Sequence, residues 1–183
     1  MMTLDGTLWV EDNTPYMIFS HEWVQCTTGE MWSIKLKDDL TGAADKPTLL
    51  FKSDAAAWAK VQQEGCVVTD GPYLRKSKSG KLFMLWSSFD DRPAGARYQV
   101  GISISDSGKL AGPWRHQPKA LLPETDGGHP MLFETFEGKL IMALHSPGNG
   151  NIRAKLYEME DTGDTLKVLK EFAAPASAPA SQN

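Results

Sequence analysis

Asp70-Gly71-Pro72-Tyr73-Leu74-Arg75-Lys76-Ser77-Lys78-Ser79-Gly80-Lys81-Leu82-Phe83-Met84-Leu85-Trp86-Ser87 decides the fold. A small polar opening leads into a short strand pattern. A polar turn over 77–80 follows, and the chain then returns through an almost wholly apolar run. Two strand patterns joined by a short turn make a β-hairpin. An unbroken apolar run of this length suits a strand buried on both faces.

The same grammar occurs twice more without gaps. Asp5-Gly6-Thr7-Leu8-Trp9-Val10 turns at Asp12-Asn13-Thr14 into Tyr16-Met17-Ile18-Phe19-Ser20-His21. Gly128-His129-Pro130-Met131-Leu132-Phe133 turns at Glu137-Gly138 into Leu140-Ile141-Met142-Ala143-Leu144-His145. The ungapped alignment equates Asp5 with Asp70 and Gly128. Each hairpin is followed by two further strand-like stretches, among them Tyr98-Gln99-Val100-Gly101-Ile102-Ser103-Ile104. There the apolar residues recur with the period of two expected of a half-buried strand. Each unit is therefore about four antiparallel strands, the pattern of a propeller blade. The blades predicted are about 3–62, 63–124 and 125–172. Residues 55–61, alanine-biased, read as a short helical excursion. The Ala/Pro-rich stretch 173–183 reads as a flexible tail. Propellers usually close with four to eight blades, so three imply a fragment, a chain that pairs with another, or an open stack. A plain β-sandwich is the alternative, and it leaves the repeat unexplained.

Composition narrows the function. The 183 residues carry 19 basic and 23 acidic side chains, a formal net charge of −4. That balance excludes a basic nucleic-acid binder. No stretch approaches the roughly 20 apolar residues of a membrane-spanning helix, and the first residues lack the pattern of a secretory signal. Neither nucleic acid nor membrane is expected as a partner, and the location in the cell stays open. Cys26 and Cys66 are too few for a disulfide scaffold. Zinc spacings, phosphate loops, dinucleotide fingerprints and nucleophile elbows do not occur.

The starts of innermost blade strands converge on the propeller axis, so Asp5 and Asp70 should face one cavity. A pair of carboxylates is what glycoside hydrolysis uses: one donates a proton to the leaving oxygen, the other activates water or attacks. A single Asp-Gly is a common turn dipeptide, but two at matching places favour a site. His129 points at the same axis and suits a metal ion or a sugar hydroxyl; a buried, satisfied histidine is its plain alternative. The second strand of each hairpin returns to this end, which puts His21, Glu22 and Trp23, then Trp86 and Ser87, then His145 around the rim. Aromatic faces with polar neighbours suit a sugar. Blade packing is the competing role for Trp23 and Trp86.

Leu4-Asp5-Gly6-Thr7-Leu8-Trp9-Val10-Glu11-Asp12 with Ser20-His21-Glu22-Trp23 resembles the second blade of glycoside hydrolase family 43. Val68-Thr69-Asp70-Gly71-Pro72-Tyr73-Leu74 with Leu82-Phe83-Met84-Leu85-Trp86-Ser87 resembles its third. Gly112-Pro113-Trp114, Asp126-Gly127-Gly128-His129 and Leu144-His145 resemble the stretch into its fourth. The resemblance covers about residues 3–172. It implies an all-β, five-bladed propeller of which about three blades are present. It also implies an inverting hydrolase of arabinofuranosyl or xylosyl linkages in plant polysaccharides. By the same resemblance Asp70 falls on the general acid and Asp5 on the aspartate that tunes the acid's pKa. His129 falls on a histidine near an axial calcium, sodium or water site, with no cofactor required. The family's acid is usually glutamate, and here it is Asp70. The base belongs to the family's first blade, so the expectation is an N-terminally truncated member. Its base then comes from another chain or segment, as in a homo-oligomer covering the open blade faces, or from Glu22. A carbohydrate-binding remnant without turnover and a purely structural propeller fragment are the other readings.

Overall fold

The middle hairpin forms as its pattern demands. In the computed structural model, which describes residues 1–62, 65–90, 97–122 and 126–172, strand β5 (Asp70–Lys76) pairs antiparallel with β6 (Leu82–Asp90). β7 (Arg97–Ser105) and β8 (Trp114–His116) complete a four-stranded sheet. The first blade is β1 (Thr3–Glu11), β2 (Thr14–His21), β3 (Glu30–Lys35) and β4 (Thr48–Lys52), with one helical turn, α1 (Trp23–Cys26), after β2. The third is β9 (Gly128–Glu134), β10 (Leu140–Ser146), β11 (Arg153–Asp161) and β12 (Leu166–Glu171). All three sheets are antiparallel meanders, and β1, β5 and β9 lie side by side as the innermost strands. The chain is three blades of an all-β propeller. The tail at 173–183 lies outside the described residues.

Strand β6 explains why its sequence is apolar throughout. Leu82, Met84 and Trp86 enter the core between blades one and two, with Ile18, Met31, Phe51, Trp58 and Leu74. Phe83 and Leu85 enter the core between blades two and three, with Val100, Ile102, Leu132, Met142 and Tyr157. One strand thus supplies both interfaces. β7 behaves alike, which corrects the half-buried reading. Its polar face is buried too: Ser103 is fully covered, its hydroxyl accepting from Trp86 Nε1 at 2.8 Å and pairing with His116 Nδ1 at 2.7 Å. Small residues occupy that face because Trp58 lies over it, and a Cβ on Gly101 would overlap the Trp58 indole. The helical excursion expected at 55–61 is instead one 3₁₀ turn, Ser53–Ala55. It delivers Trp58 against Trp86, ring centroids 4.9 Å apart.

The ungapped repeat needs a one-residue correction in the first blade. Leu4 pairs with Ser20 and Thr7 with Ile18; Asp70 pairs with Ser87 and Tyr73 with Leu85; Gly128 pairs with His145 and Met131 with Ala143. Each innermost strand therefore holds the same bulge, and Asp70 is equivalent to Leu4, not to Asp5. The left-handed residues confirm it: Asp5 at φ 57°, Gly71 at φ 52° and His129 at φ 51°. A bulge inserts one residue, re-aims the side chains beside it and is frequent next to active sites. Aspartate and histidine tolerate this backbone better than most residues.

Because Gly101 does not need a positive φ, Gly101→Ala isolates the packing requirement. The variant should lose ~1–3 kcal/mol of stability by overpacking, read as a lower urea midpoint at an unchanged slope. Trp58→Phe in the same chain should recover part of it. A neutral Gly101→Ala would mean that Trp58 does not fill this interface.

Candidate functional site

Asp70 opens β5 at the inner end of the middle blade, where the blades meet. Its carboxylate is largely buried. Oδ2 accepts the Tyr98 hydroxyl at 2.8 Å, and Trp23 adds a second hydrogen bond. Burial pushes the Asp70 pKa up to about 7, and the charges of Asp5 and Glu22 push the same way. The hydrogen bonds from Tyr98 and Trp23 favour the ionised form and oppose the shift. Burial dominates, so Asp70 holds its proton up to neutral pH and can donate it.

Asp5 reaches the same place from the neighbouring strand. Its Oδ2 accepts the backbone N–H of Gly71 at 2.9 Å, one residue from Asp70, and lies 3.9 Å from His129 Nε2. The bulge produces this arrangement: the left-handed turn at Asp5 points its carboxylate across to blade two. Asp5 and Asp70 therefore share a site without being equivalent in the repeat.

The rim is smaller than expected. Trp23 and Glu22 belong to it, through their effects on Asp70. His145 belongs to it as well: its ring stacks on Tyr98 at 5.6 Å and lies 5.4 Å from His129, which is 41% exposed. Trp86 does not. It has no exposed surface, because the middle blade is covered on both sides as far as its inner end. Ser87 is also fully buried, its hydroxyl accepting the backbone N–H of His129 at 2.9 Å. It joins β6 to β9 and is closed to a sugar. His21 is engaged sideways, Nδ1 to Glu30 at 2.8 Å and Nε2 to Gln25 at 3.3 Å. Burial pushes Glu30 up, but hydrogen bonds from His21, Lys52 and Trp32 outweigh it and bring its pKa to about 2. His21 therefore braces α1 and β3. Tyr98 is the site residue the sequence reading missed. A buried phenol needs a hydrogen-bond partner, but the sequence does not say which.

A calcium ion takes six to eight oxygen ligands. Beside His129 the protein offers the Asp5 carboxylate, 3.9 Å from Nε2, so most of a calcium ion's oxygens there would have to be water. Among the described residues, one trio of donors lies close enough to share an ion, His21, Cys26 and Glu30, and Glu30 is already held by Lys52 and Trp32. The site opens on its outer side. Asp5 borders a hollow of about 480 Å³ on the uncovered face of blade one, walled by Leu4, Met17, Phe19, Ile34 and Leu36. A larger groove of about 590 Å³, with Leu121, Tyr157, Leu166 and Val168, lies at the perimeter and has no acidic lining residue.

Residues 1–163 match the family model described as Glycosyl hydrolases family 43. The chain is similar to an endo-arabinase from Bacteroides thetaiotaomicron, at 34% identity and a TM-score of 0.80, over 87% of this chain and 56% of that one. It is also similar to a thermostable family-43 glycoside hydrolase (18%, TM-score 0.71, 100% and 62%). An endo-1,4-beta-xylanase from Bacteroides thetaiotaomicron gives 22%, TM-score 0.70, 91% and 58%. The last two likenesses establish the fold alone. The chain spans less than two thirds of each of these structures. No curated protein matches it.

Folded Asp70 binds its proton more tightly than an ordinary aspartate, whose pKa is 3.8. This contribution to stability is complete below that value and is lost as pH rises through about 7. Asp70→Asn should therefore flatten the fall in urea midpoint between about pH 4 and 7. Asp5→Asn removes a negative neighbour and should lower the Asp70 midpoint in a ¹³C-carboxyl NMR titration. An unmoved midpoint would show that Asp5 does not act on Asp70.

Proposed function

The chain belongs to glycoside hydrolase family 43, and from that membership we propose that Asp70 is the acid of an inverting hydrolysis of arabinofuranosyl or xylosyl linkages in plant polysaccharides. The observation that carries this reading is the buried Asp70 carboxyl, neutral up to about pH 7 beside a second carboxylate. The likeness to an endo-arabinase, at 34% identity, favours a pentosyl substrate.

The steps follow from the geometry. The Asp70 carboxyl donates its proton to the glycosidic oxygen as the bond to the anomeric carbon breaks. Water attacks that carbon from the opposite face and gives a proton to a base. Asp70, now ionised, is held by Tyr98 and Trp23 and regains a proton from solvent. The Asp5 charge beside Asp70 favours the proton-loaded form at the start of each turnover. Glu22 is the in-chain carboxylate to test as base, since its charge already acts on Asp70. The other source is a second chain. The outer face of blade one exposes Leu8 (48%) and Val10 (56%), and that of blade three exposes Met131 (50%) and Phe133 (40%). A homo-oligomer would cover such faces.

A binding protein without turnover is the second reading, favoured by the open outer side of the site beside Asp5. Sedimentation equilibrium and hydrolysis on one sample separate the two. Asp70→Asn should cost about 10²–10⁴-fold on an arabino-oligosaccharide and much less on a nitrophenyl glycoside, whose leaving group needs little protonation. Oligosaccharide binding with no turnover in the unchanged protein would sink the enzymatic reading and leave the binding one.

A further inference from the structure

Asp70 reaches only as far as an aspartate can, so something must decide which of its oxygens meets the substrate. Tyr98 is placed to do so. Its hydroxyl donates to Oδ2 at 2.8 Å. A carboxyl oxygen that accepts such a bond is a poor place for the proton, which leaves Oδ1 as the oxygen that carries it. The phenol is never lost as a donor, because burial and the Asp70 charge push its own pKa far above the usual phenol range.

The fold around Tyr98 is shaped to this ring. A Cβ on Gly128 would overlap its Cε1, although Gly128 needs no left-handed backbone. Asp126 Oδ1 accepts the Tyr98 backbone N–H at 2.9 Å, and the Gly127 N–H donates to the Tyr98 carbonyl at 2.8 Å. Phe89 packs on one side at 4.9 Å between ring centroids, and His145 stacks at 5.6 Å. Asp126-Gly127-Gly128 is thus a cradle: a carboxylate and an amide fix the backbone, and a missing side chain admits the ring. None of these contacts is needed for strand pairing.

We infer that Tyr98 is the positioning residue for Asp70, its ring lodged against Gly128 so that its phenol occupies one carboxyl oxygen and turns the other toward the cavity. This rests on Asp70 being the acid. The groups facing Asp70 are Asp5 from β1, Glu22 and Trp23 at α1, and Tyr98 from β7; β9 adds His129, 3.9 Å from Asp5. Of the two hydroxyl or indole donors, only Tyr98 has a cradle of glycines.

The test is a ¹³C-carboxyl NMR titration, with the Asp70 signal identified by its loss in Asp70→Asn. In Tyr98→Phe the Asp70 midpoint should rise by about one pH unit, since a donor to the ionised form is gone. Gly128→Ala, which keeps both groups but displaces the ring, should move it the same way. A purely structural Tyr98 would lower stability and leave the midpoint alone, and that result overturns the inference. If either variant does not fold, the unchanged protein still decides. The Tyr98 ¹³Cζ signal should inflect at the Asp70 midpoint, because the phenol feels the carboxyl ionise, and a flat Tyr98 signal overturns the inference. An Asp70 midpoint near 4 in the unchanged protein would overturn the acid reading itself and this inference with it. A midpoint near 7 that Tyr98→Phe leaves in place overturns only the role of Tyr98.

Discussion

Strand β6 must be buried on both faces, and the arrangement of the other blades follows from that. Its even-numbered side chains close one interface and its odd-numbered ones the other. Each fully buried large apolar side chain contributes roughly 1.5–3 kcal/mol relative to exposure, and β6 places five in a row. Among the described residues, no other strand joins both cores so fully. The inner end of β6 extends the constraint to the site: Ser87, buried with the rest, accepts the His129 amide and fixes the start of β9 against blade two. The site is therefore assembled by packing between blades. No single loop holds it.

That packing also sets the electrostatics. Asp70 lies where three elements meet, and its desolvation exceeds the hydrogen bonds that would keep it charged. The balance is one-sided by design of position, since the two donors come from residues that the blades already bring there. A carboxyl held neutral at pH 7 costs stability whenever it must ionise. The cores on either side of β6 are what allow the fold to carry that cost. Asp5 adds to the strain, yet its own carboxylate is satisfied by the Gly71 amide. Burial, with the Asp5 charge beside it, keeps the proton on Asp70, which is what a general acid needs.

The blade pattern was legible because hairpins leave a periodic signature: polar turn, apolar strand, polar turn. Which residues of that pattern share a place was less so. A bulge adds one residue without any mark in composition, and the shared Asp-Gly dipeptide aligns Asp5-Gly6 with Asp70-Gly71, one residue away from the structural register. The strand registers and the three left-handed residues settle it. The joint presence of Asp5 and Asp70 was read correctly, though for a reason that needed correcting. Trp86 and Ser87 are expected at the rim because the second strand of each hairpin returns to the cavity end. In the middle blade that end is buried. Tyr98 was invisible as a site residue because nothing in sequence says which buried strand position faces a carboxylate 28 residues earlier.

The substitution of aspartate for the longer acid expected by resemblance then acquires a physical sense. A glutamate would carry its carboxyl one C–C bond, about 1.5 Å, farther along the side chain. At Asp70 the carboxyl stays close to the β5 backbone, deep enough between blades to be desolvated and within 2.8 Å of Tyr98. Depth raises the pKa, and a short side chain has few rotamers, so a single phenol is enough to orient it. Reach is what is given up: the substrate must come closer to the blade edges than a longer acid would require. The open flank beside Asp5 leaves room for such an approach.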